Sequence, residues 1–199
     1  MTPLQSLSDG RSRILGEAAD SVSSFFASVS TRSSDSGRQS SIALDSKGYP
    51  RIVYGKVDDG FLYYVIRTTG TWSTESVKDI GFDTNPFYVR GDLAVGSNDI
   101  PQIAYYENNN NGALGYGIKS TNTWNLQTID ATTTFSGAYP SIAVDKNNFP
   151  HIAYSKNFKI PSYGYYNGTT WKFESVDTTG SSSNGYGIRI ALDNKETPH

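Results

Sequence analysis

The sequence predicts an all-β protein that folds as a β-propeller of four-stranded blades. The first observation is a repeat whose central alanines stand at 43, 94, 143 and 191, which gives spacings of 51, 49 and 48. The second observation is that each complete repeat contains four short apolar segments separated by turn residues. Four strands in a repeat of this length are typical of a propeller blade.

The first predicted strand of each repeat places a small alanine between larger aliphatic residues, as in Ile42-Ala43-Leu44. The repeats start near residues 41, 92, 141 and 189. A polar turn follows, and then a proline opens the second strand: Pro50, Pro101, Pro150 and Pro198. Proline has no N–H to donate, so the first residue of a strand suits it.

The remaining strands repeat their aromatic positions. The second strand carries Ile-x-Tyr, and both of its faces are apolar, which indicates a strand covered on both sides. The third strand is aromatic or aliphatic, and the fourth opens with tryptophan. The residues at these positions are Tyr54, Tyr105 and Tyr154 in the second strand and Trp72, Trp124 and Trp171 in the fourth.

A β-trefoil is the main structural alternative, because it also contains three units of four strands. The repeat starts a fourth time from Ile190 to His199, and a thirteenth strand has no place in a trefoil. We therefore expect three blades plus the first strand of a fourth, which form an incomplete ring. Such a ring needs the remainder of a longer chain or a homo-oligomer to close it.

Residues 1–40 do not match the repeat. Apolar residues between Gly10 and Val29 follow helical spacing and predict a short N-terminal helix, with a Ser-rich linker after it. A targeting leader is the alternative, which the acidic residues Asp9, Glu17 and Asp20 oppose. The predicted organisation is a helix and linker over 1–40 and propeller blades over 41–199.

Composition narrows the possible partners. The formal net charge is −2, so no basic field attracts nucleic acid or anionic lipid. The chain has no cysteine and 2 histidines, which argues against a disulfide framework or a His- or Cys-rich metal site. No apolar run is long enough to span a bilayer, and no signal peptide is visible.

The segment Ile42–Tyr54 and its echo at 142–154 resemble the repeats of extracellular bacterial and archaeal propellers of the sialidase-like (BNR or Asp-box-like) superfamily. They are also similar to NHL-type blades. The resemblance implies a propeller and favours an extracellular or cell-surface location, but propellers host many activities. A true Asp-box is absent and the arginines are not equivalent, so no sialidase mechanism carries over and no catalytic residue is predicted. Asp45, Asp145 and Asp193 are expected to close turns and not to bind calcium.

Candidate ligand-binding residues lie in the loops after the second and fourth strands, where propellers usually bind. These residues are Tyr88, Arg90, Glu107, Asn108, Tyr139, Lys156 and Tyr186. Trp72, Trp124 and Trp171 are further candidates, since tryptophan stacks on sugar rings; the alternative is that they fill the space between neighbouring sheets.

The sequence therefore predicts a non-catalytic recognition or scaffold module without cofactor or metal, whose ligand is a surface glycan or a protein. One alternative is that these blades belong to a longer sialidase-like glycoside hydrolase. Another is a structural component of an oligomeric particle, docked by the N-terminal helix.

Overall fold

The structure, a computed structural model, describes residues 36–81, 90–179 and 187–199. Within these ranges the chain is all-β, with three four-stranded antiparallel sheets and one short 3₁₀ helix at Asn108–Asn110. The all-β prediction is confirmed, and the predicted N-terminal helix lies outside the described residues. No helix in the described ranges is long and apolar enough to cross a membrane.

Each sheet is a meander whose strands pair in chain order. The first sheet contains β1 (Ser36–Leu44), β2 (Pro50–Lys56), β3 (Phe61–Thr68) and β4 (Thr71–Asp79). The second contains β5 (Gly91–Val95), β6 (Pro101–Glu107), β7 (Ala113–Lys119) and β8 (Trp124–Asp130). The third contains β9 (Ala138–Val144), β10 (Pro150–Lys156), β11 (Ile160–Tyr166) and β12 (Trp171–Ser175).

The first strand extends further back than the sequence indicates. β1 begins at Ser36, inside the stretch assigned to the linker, because its backbone pairs with β2 as far as Lys56, with an irregular register between Ser36 and Ser40. Each proline predicted to open a second strand does so: Pro50, Pro101 and Pro150.

The predicted Asx turns between the first two strands are confirmed. Asp45 Oδ1 accepts hydrogen bonds from the N–H groups of Lys47 (3.0 Å) and Tyr49 (2.8 Å). Asp145 accepts from the N–H of Phe149 at 2.7 Å in the third repeat. These carboxylates therefore stabilise the turns between the first and second strands.

Neighbouring sheets pack face to face, and their first strands are in contact. We call the contact between the first and second sheets the first seam, and that between the second and third the second seam. The first seam buries Val53 and Tyr64 against Ile103 and Tyr105. In the second seam, Ala104 and Tyr116 pack against Ile152 and Tyr154. All seven residues of β6 are buried, as expected for a strand covered on both faces.

Residues 187–199, here called the C-terminal hairpin, repeat the first turn of a sheet. Ala191 and His199 exchange backbone hydrogen bonds of 3.1 and 2.9 Å. The hairpin also repeats a contact made between the first strands, in which a backbone N–H donates to a side chain of the preceding repeat. The three bonds are Leu93 N to Ser41 Oγ (3.3 Å), Ile142 N to Asp92 Oδ2 (2.9 Å) and Ile190 N to Ser141 Oγ (3.3 Å). The hairpin thus lies beside the third sheet as the second sheet lies beside the first.

Candidate functional site

The long connections meet at one end of the sheets, because in a meander the loop after the second strand and the loop after the fourth lie on the same side. We call this side the loop end. Backbone bonds join the connections of different sheets: Asn109 N donates to Ile80 O (3.1 Å) and Asn157 N donates to Phe135 O (3.0 Å). Phe135 N in turn donates to Asn111 O at 2.7 Å. The loops therefore form one connected surface.

An aromatic cluster lies on this surface and includes two of the predicted residues. The Arg90 guanidinium lies 4.0 Å above the Tyr139 ring, which is a cation–π contact. Phe158 packs against Tyr139, with ring centroids 5.9 Å apart, and against Phe135 at 5.0 Å. Tyr139 is buried, whereas Phe135 is 38% exposed. The fold thus brings Arg90 and Tyr139 together, and Phe135 is an exposed member of the cluster.

The backbone of this cluster is held in the left-handed region. Phe135 and Phe158 have φ of 59°, and Tyr139 and Asn157 have φ of 54°. For a bulky side chain this conformation costs about 1–2 kcal/mol per residue, and such costs concentrate at functional sites. The interlocking backbone bonds and ring packing hold these residues in place.

Glu107 lies in the first seam and does not face solvent. Its side chain is 3% exposed, and Lys78 Nζ lies 3.5 Å from Oε1. Oε2 accepts hydrogen bonds from Thr128 (2.8 Å) and Asn110 (2.9 Å). This predicted ligand-binding residue therefore joins the first two sheets.

Lys156 holds the matching place in the second seam. Its Nζ lies 2.9 Å from Oδ2 of Asp130, whose side chain is 2% exposed, and Tyr154 donates to the same oxygen at 2.6 Å. Thr132 donates its N–H and hydroxyl to Oδ1. Burial acts to raise the pKa of Asp130, but the bonds from Tyr154, Thr132 and Lys156 outweigh it and hold that pKa below its usual range.

The other predicted loop residues have different positions. Asn108 begins the 3₁₀ helix at the loop end and is half-buried. Tyr88 and Tyr186 lie outside the described residues.

Trp124 and Trp171 fill the seams. The Trp124 ring packs edge-on against Tyr64 of the preceding sheet, with centroids 5.3 Å apart, and Trp171 packs in the same way against Tyr116 at 5.1 Å. Trp72 lies on the first sheet, with the Arg67 guanidinium 5.7 Å from its ring centroid. The seam-filling alternative therefore describes Trp124 and Trp171.

Across the first seam lies a contact that the sequence did not reveal. Trp124 Nε1 donates to Glu75 Oε1 of the preceding sheet at 2.8 Å, and Lys119 pairs with the same oxygen. In the sequence of each repeat, a carboxyl or amide residue follows the tryptophan in the same strand, whereas the Trp124 hydrogen bond runs to a carboxylate of the preceding repeat. In the second seam Gln127 takes the place of Glu75, and Trp171 Nε1 is buried with no hydrogen-bond partner among the described residues.

Metal-ligating side chains do not gather in the part of the chain that the structure describes. Within those ranges, no group of three or more His, Asp or Glu residues could hold a metal ion.

No family model matches the chain, and no curated protein matches it. Among solved structures, the chain is similar to a fucose lectin from Kordia zhangzhouensis in complex with methyl-fucoside, at 16% identity and a TM-score of 0.45 over 68% of this chain and 96% of that one. It is also similar to an exo-β-1,3-galactanase from Clostridium thermocellum, at 10% identity and a TM-score of 0.45 over 68% of this chain and 34% of that one.

Proposed function

We propose that the chain forms consecutive blades of a β-propeller. The support is the repetition of one packing relation: the first strands of successive sheets are in contact, and the same backbone-to-side-chain bond recurs from one repeat to the next. The C-terminal hairpin continues that relation beyond the third sheet. Membership of the sialidase-like or NHL-type families stays a prediction.

A further sheet before the first belongs to this proposal. Ile42 and Leu44 on β1 are 49% and 43% exposed. The counterparts of Ile42 are Leu93 and Ile142, which pack on a preceding sheet and are 5% and 6% exposed, and the counterparts of Leu44 are Val95 and Val144, which are half-buried. The same residue types at the same repeat position favour a missing neighbour beside β1. We propose that this neighbour comes from the remainder of a longer chain or from a second copy.

The function we propose is non-catalytic recognition of a surface glycan at the loop end. The carrying observation is the exposed Phe135 ring, fixed by a strained backbone and supported by Phe158. An aromatic face packs on the apolar C–H face of a sugar ring, and the neighbouring exposed Asn157 amide can bond to hydroxyl groups. The buried acids Glu107 and Asp130 bond within the seams, which supports a binding role over a catalytic one.

The test is glycan-array binding of the folded protein, with Phe135→Ala as the main variant. We expect this variant to lose at least about tenfold in affinity if stacking contributes about 1.4 kcal/mol or more. Phe173→Ala is the matched control, because Phe173 is also 38% exposed but lies on the outer strand β12. Equal losses in both variants, or no glycan bound by the unaltered protein, would overturn the proposal.

A further inference from the structure

The outer strand of the third sheet, β12, presents an open edge. The strand order of this sheet stops at β12, and among the described strands β12 pairs with β11 alone. Its last four residues are exposed, and they include Phe173 at 38%. Val176, directly after the strand, is 67% exposed. An exposed and partly apolar edge strand is a template for pairing with another strand.

The corresponding outer strands of the first and second sheets are less suited to such pairing. The register of β4 with β3 passes over Val77, and that of β8 with β7 passes over Ile129, so each of these strands contains an irregularity. Irregularities of this kind twist an edge strand away from a further partner. In contrast, β12 keeps a continuous register with β11 from Trp171 to Ser175. Of the three described outer strands, β12 therefore has the regular edge.

The backbone bonds around β12 show which of its groups point outward. Asn167 N donates to Thr170 O at 3.2 Å where β11 turns into β12, and Val176 N donates to Pro161 O at 2.8 Å just after the strand. Hydrogen-bonded and non-hydrogen-bonded pairs alternate along an antiparallel ladder. The backbone groups of the even-numbered residues from 170 to 176 therefore face β11. Those of the odd-numbered residues face away from the sheet: Trp171, Phe173 and Ser175.

The side chains of β12 are self-complementary about Phe173. Lys172 and Glu174 flank this residue and lie on the same face of the sheet, since side chains alternate along a strand. A second β12 that runs antiparallel and is centred on Phe173 places Lys172 opposite the partner's Glu174, and the converse pair forms by symmetry. These are non-hydrogen-bonded positions, where opposite side chains come closest, so both ion pairs can form. The two Phe173 rings meet on the other face.

The two charges also select the register of such a pair. A shift that centres the pair on Lys172 brings two ammonium groups together, and a shift that centres it on Glu174 brings two carboxylates together. Like charges directly opposite each other destabilise a strand pair. The first and second sheets lack this arrangement, because Ser73 and Asn125 stand where Lys172 stands in the third. Among the described outer strands, self-complementarity is therefore specific to β12.

We propose that β12 is an interaction surface for a second copy of this chain. The two strands pair antiparallel about a two-fold axis at Phe173, which joins the two third sheets edge to edge. Phe173 exchanges both backbone hydrogen bonds with its counterpart, and Trp171 exchanges its own with the partner's Ser175. This interface is separate from the missing neighbour beside β1. It does not involve the loop end, so it does not rest on glycan binding.

Sedimentation equilibrium over a range of protein concentrations tests the association, and we expect the mass to rise from one chain to two. Lys172→Glu places carboxylates opposite each other at both charge positions, and Glu174→Lys places ammonium groups there. Each variant should weaken the dimer at least about tenfold. An equimolar mixture of the two variants restores opposite charges, so it should form a heterodimer with about the affinity of the unaltered protein.

Lys47→Glu is the matched control for net charge. It makes the same change in charge as Lys172→Glu, at an exposed residue in the turn between β1 and β2. We expect this variant to associate as the unaltered protein does.

Amide hydrogen exchange followed by NMR tests the register of the strands. The outward N–H groups of Trp171, Phe173 and Ser175 become hydrogen-bonded only in the dimer, whereas those of Lys172 and Glu174 bond to β11 in both states. At a protein concentration about ten times the Kd, we expect protection of the three outward groups to rise about tenfold over the monomer. The inward groups should change much less. Association through another surface would not produce this alternation.

A mass that stays at one chain up to about 1 mM would refute the proposal. So would a dimer that Lys172→Glu does not weaken, or charge variants that fail to associate when mixed, because either result places the contact elsewhere. The glycan-array comparison of Phe135→Ala with Phe173→Ala is made with monomeric protein, since Phe173→Ala also weakens the strand pairing. The measurements of association contain no glycan, so their failure and that of glycan binding are distinguishable.

Discussion

Replacing Asp130 tests how strongly the second seam depends on its buried carboxylate. Asp130→Ala removes the acceptor for Tyr154 and Lys156 together and leaves both donors in the seam. Removing one partner of a buried ion pair costs about 3–5 kcal/mol. Because the Lys156 side chain is 19% exposed and its ammonium can move toward water, we expect the lower end, about 3 kcal/mol. Asp130→Asn keeps an acceptor oxygen and should cost less.

A matched control separates the seam from the turn that Asp130 also closes. Asp177, at the corresponding position after the third sheet, accepts the N–H (2.8 Å) and hydroxyl (2.6 Å) of Thr179 as Asp130 accepts those of Thr132. It has no ion-pair partner within the described ranges. Asp177→Ala should therefore lose only the turn bonds and cost clearly less than Asp130→Ala.

Urea denaturation at pH 7 measures both variants, with an unchanged slope as the sign that the unfolded state is unaffected. Because the pKa of Asp130 is depressed in the folded protein, its stabilisation is complete above the ordinary Asp pKa near 4 and disappears as pH falls through the folded value. The difference between wild type and Asp130→Ala should narrow below about pH 4. A loss at pH 7 no larger than that of Asp177→Ala would refute the reasoning.

Two further substitutions test the packing of the repeats. In chemical denaturation of a monomeric sample, Ile142→Ala should cost about 2–4 kcal/mol, because Ile142 is 6% exposed. Ile42→Ala should cost under about 1 kcal/mol in the same sample, since Ile42 is 49% exposed, and equal costs in the monomer would contradict the proposed missing neighbour. Gly137→Ala should cost about 1–3 kcal/mol or more, since its Cβ would lie 2.4 Å from Ala113 O and 2.5 Å from the Leu114 backbone; an unchanged melting temperature would show that the loop can move away.

The repeat was predictable because it depends on local chemistry. A proline that opens a strand, and an Asp that closes a turn as Asp45 does, act through their own backbone neighbours, so sequence spacing alone locates them. The apolar residues on both faces of β6 indicated burial on both sides, and every residue of that strand is buried.

The candidate site was harder to predict because its side chains meet across repeats. Glu107 and Lys156 look like polar loop-end residues in the sequence, yet each is neutralised by a residue of the preceding sheet, Lys78 and Asp130. Their burial results from the packing of neighbouring sheets, which cannot be predicted from the spacing of residues within one repeat. The left-handed backbone at Phe135 is equally invisible, since a phenylalanine carries no signal for positive φ.

The charged residues in the two seams favour one order of the sheets. Lys78 precedes Glu107 in the first seam, and Asp130 precedes Lys156 in the second, so two equivalent ion pairs have opposite polarity. If the third sheet packed on the first, Lys78 would meet Lys156, and like charges at such a contact are unfavourable. We therefore expect these charges to help sheets of the same topology distinguish their correct neighbours.

A double-mutant cycle tests this role. K78D alone places two carboxylates at the first seam and should cost about 1–2 kcal/mol, a modest value because the Lys78 side chain is 32% exposed. E107K alone should cost more, since it buries a cation beside Lys78. Combining both substitutions gives the first seam the polarity of the second. The loss of unfolding free energy of the double variant, measured in urea, should therefore be smaller than the sum of the two single losses. An additive double variant would mean that the charges do not interact across the seam, and that the order of the sheets is set by side-chain shape and chain connectivity alone.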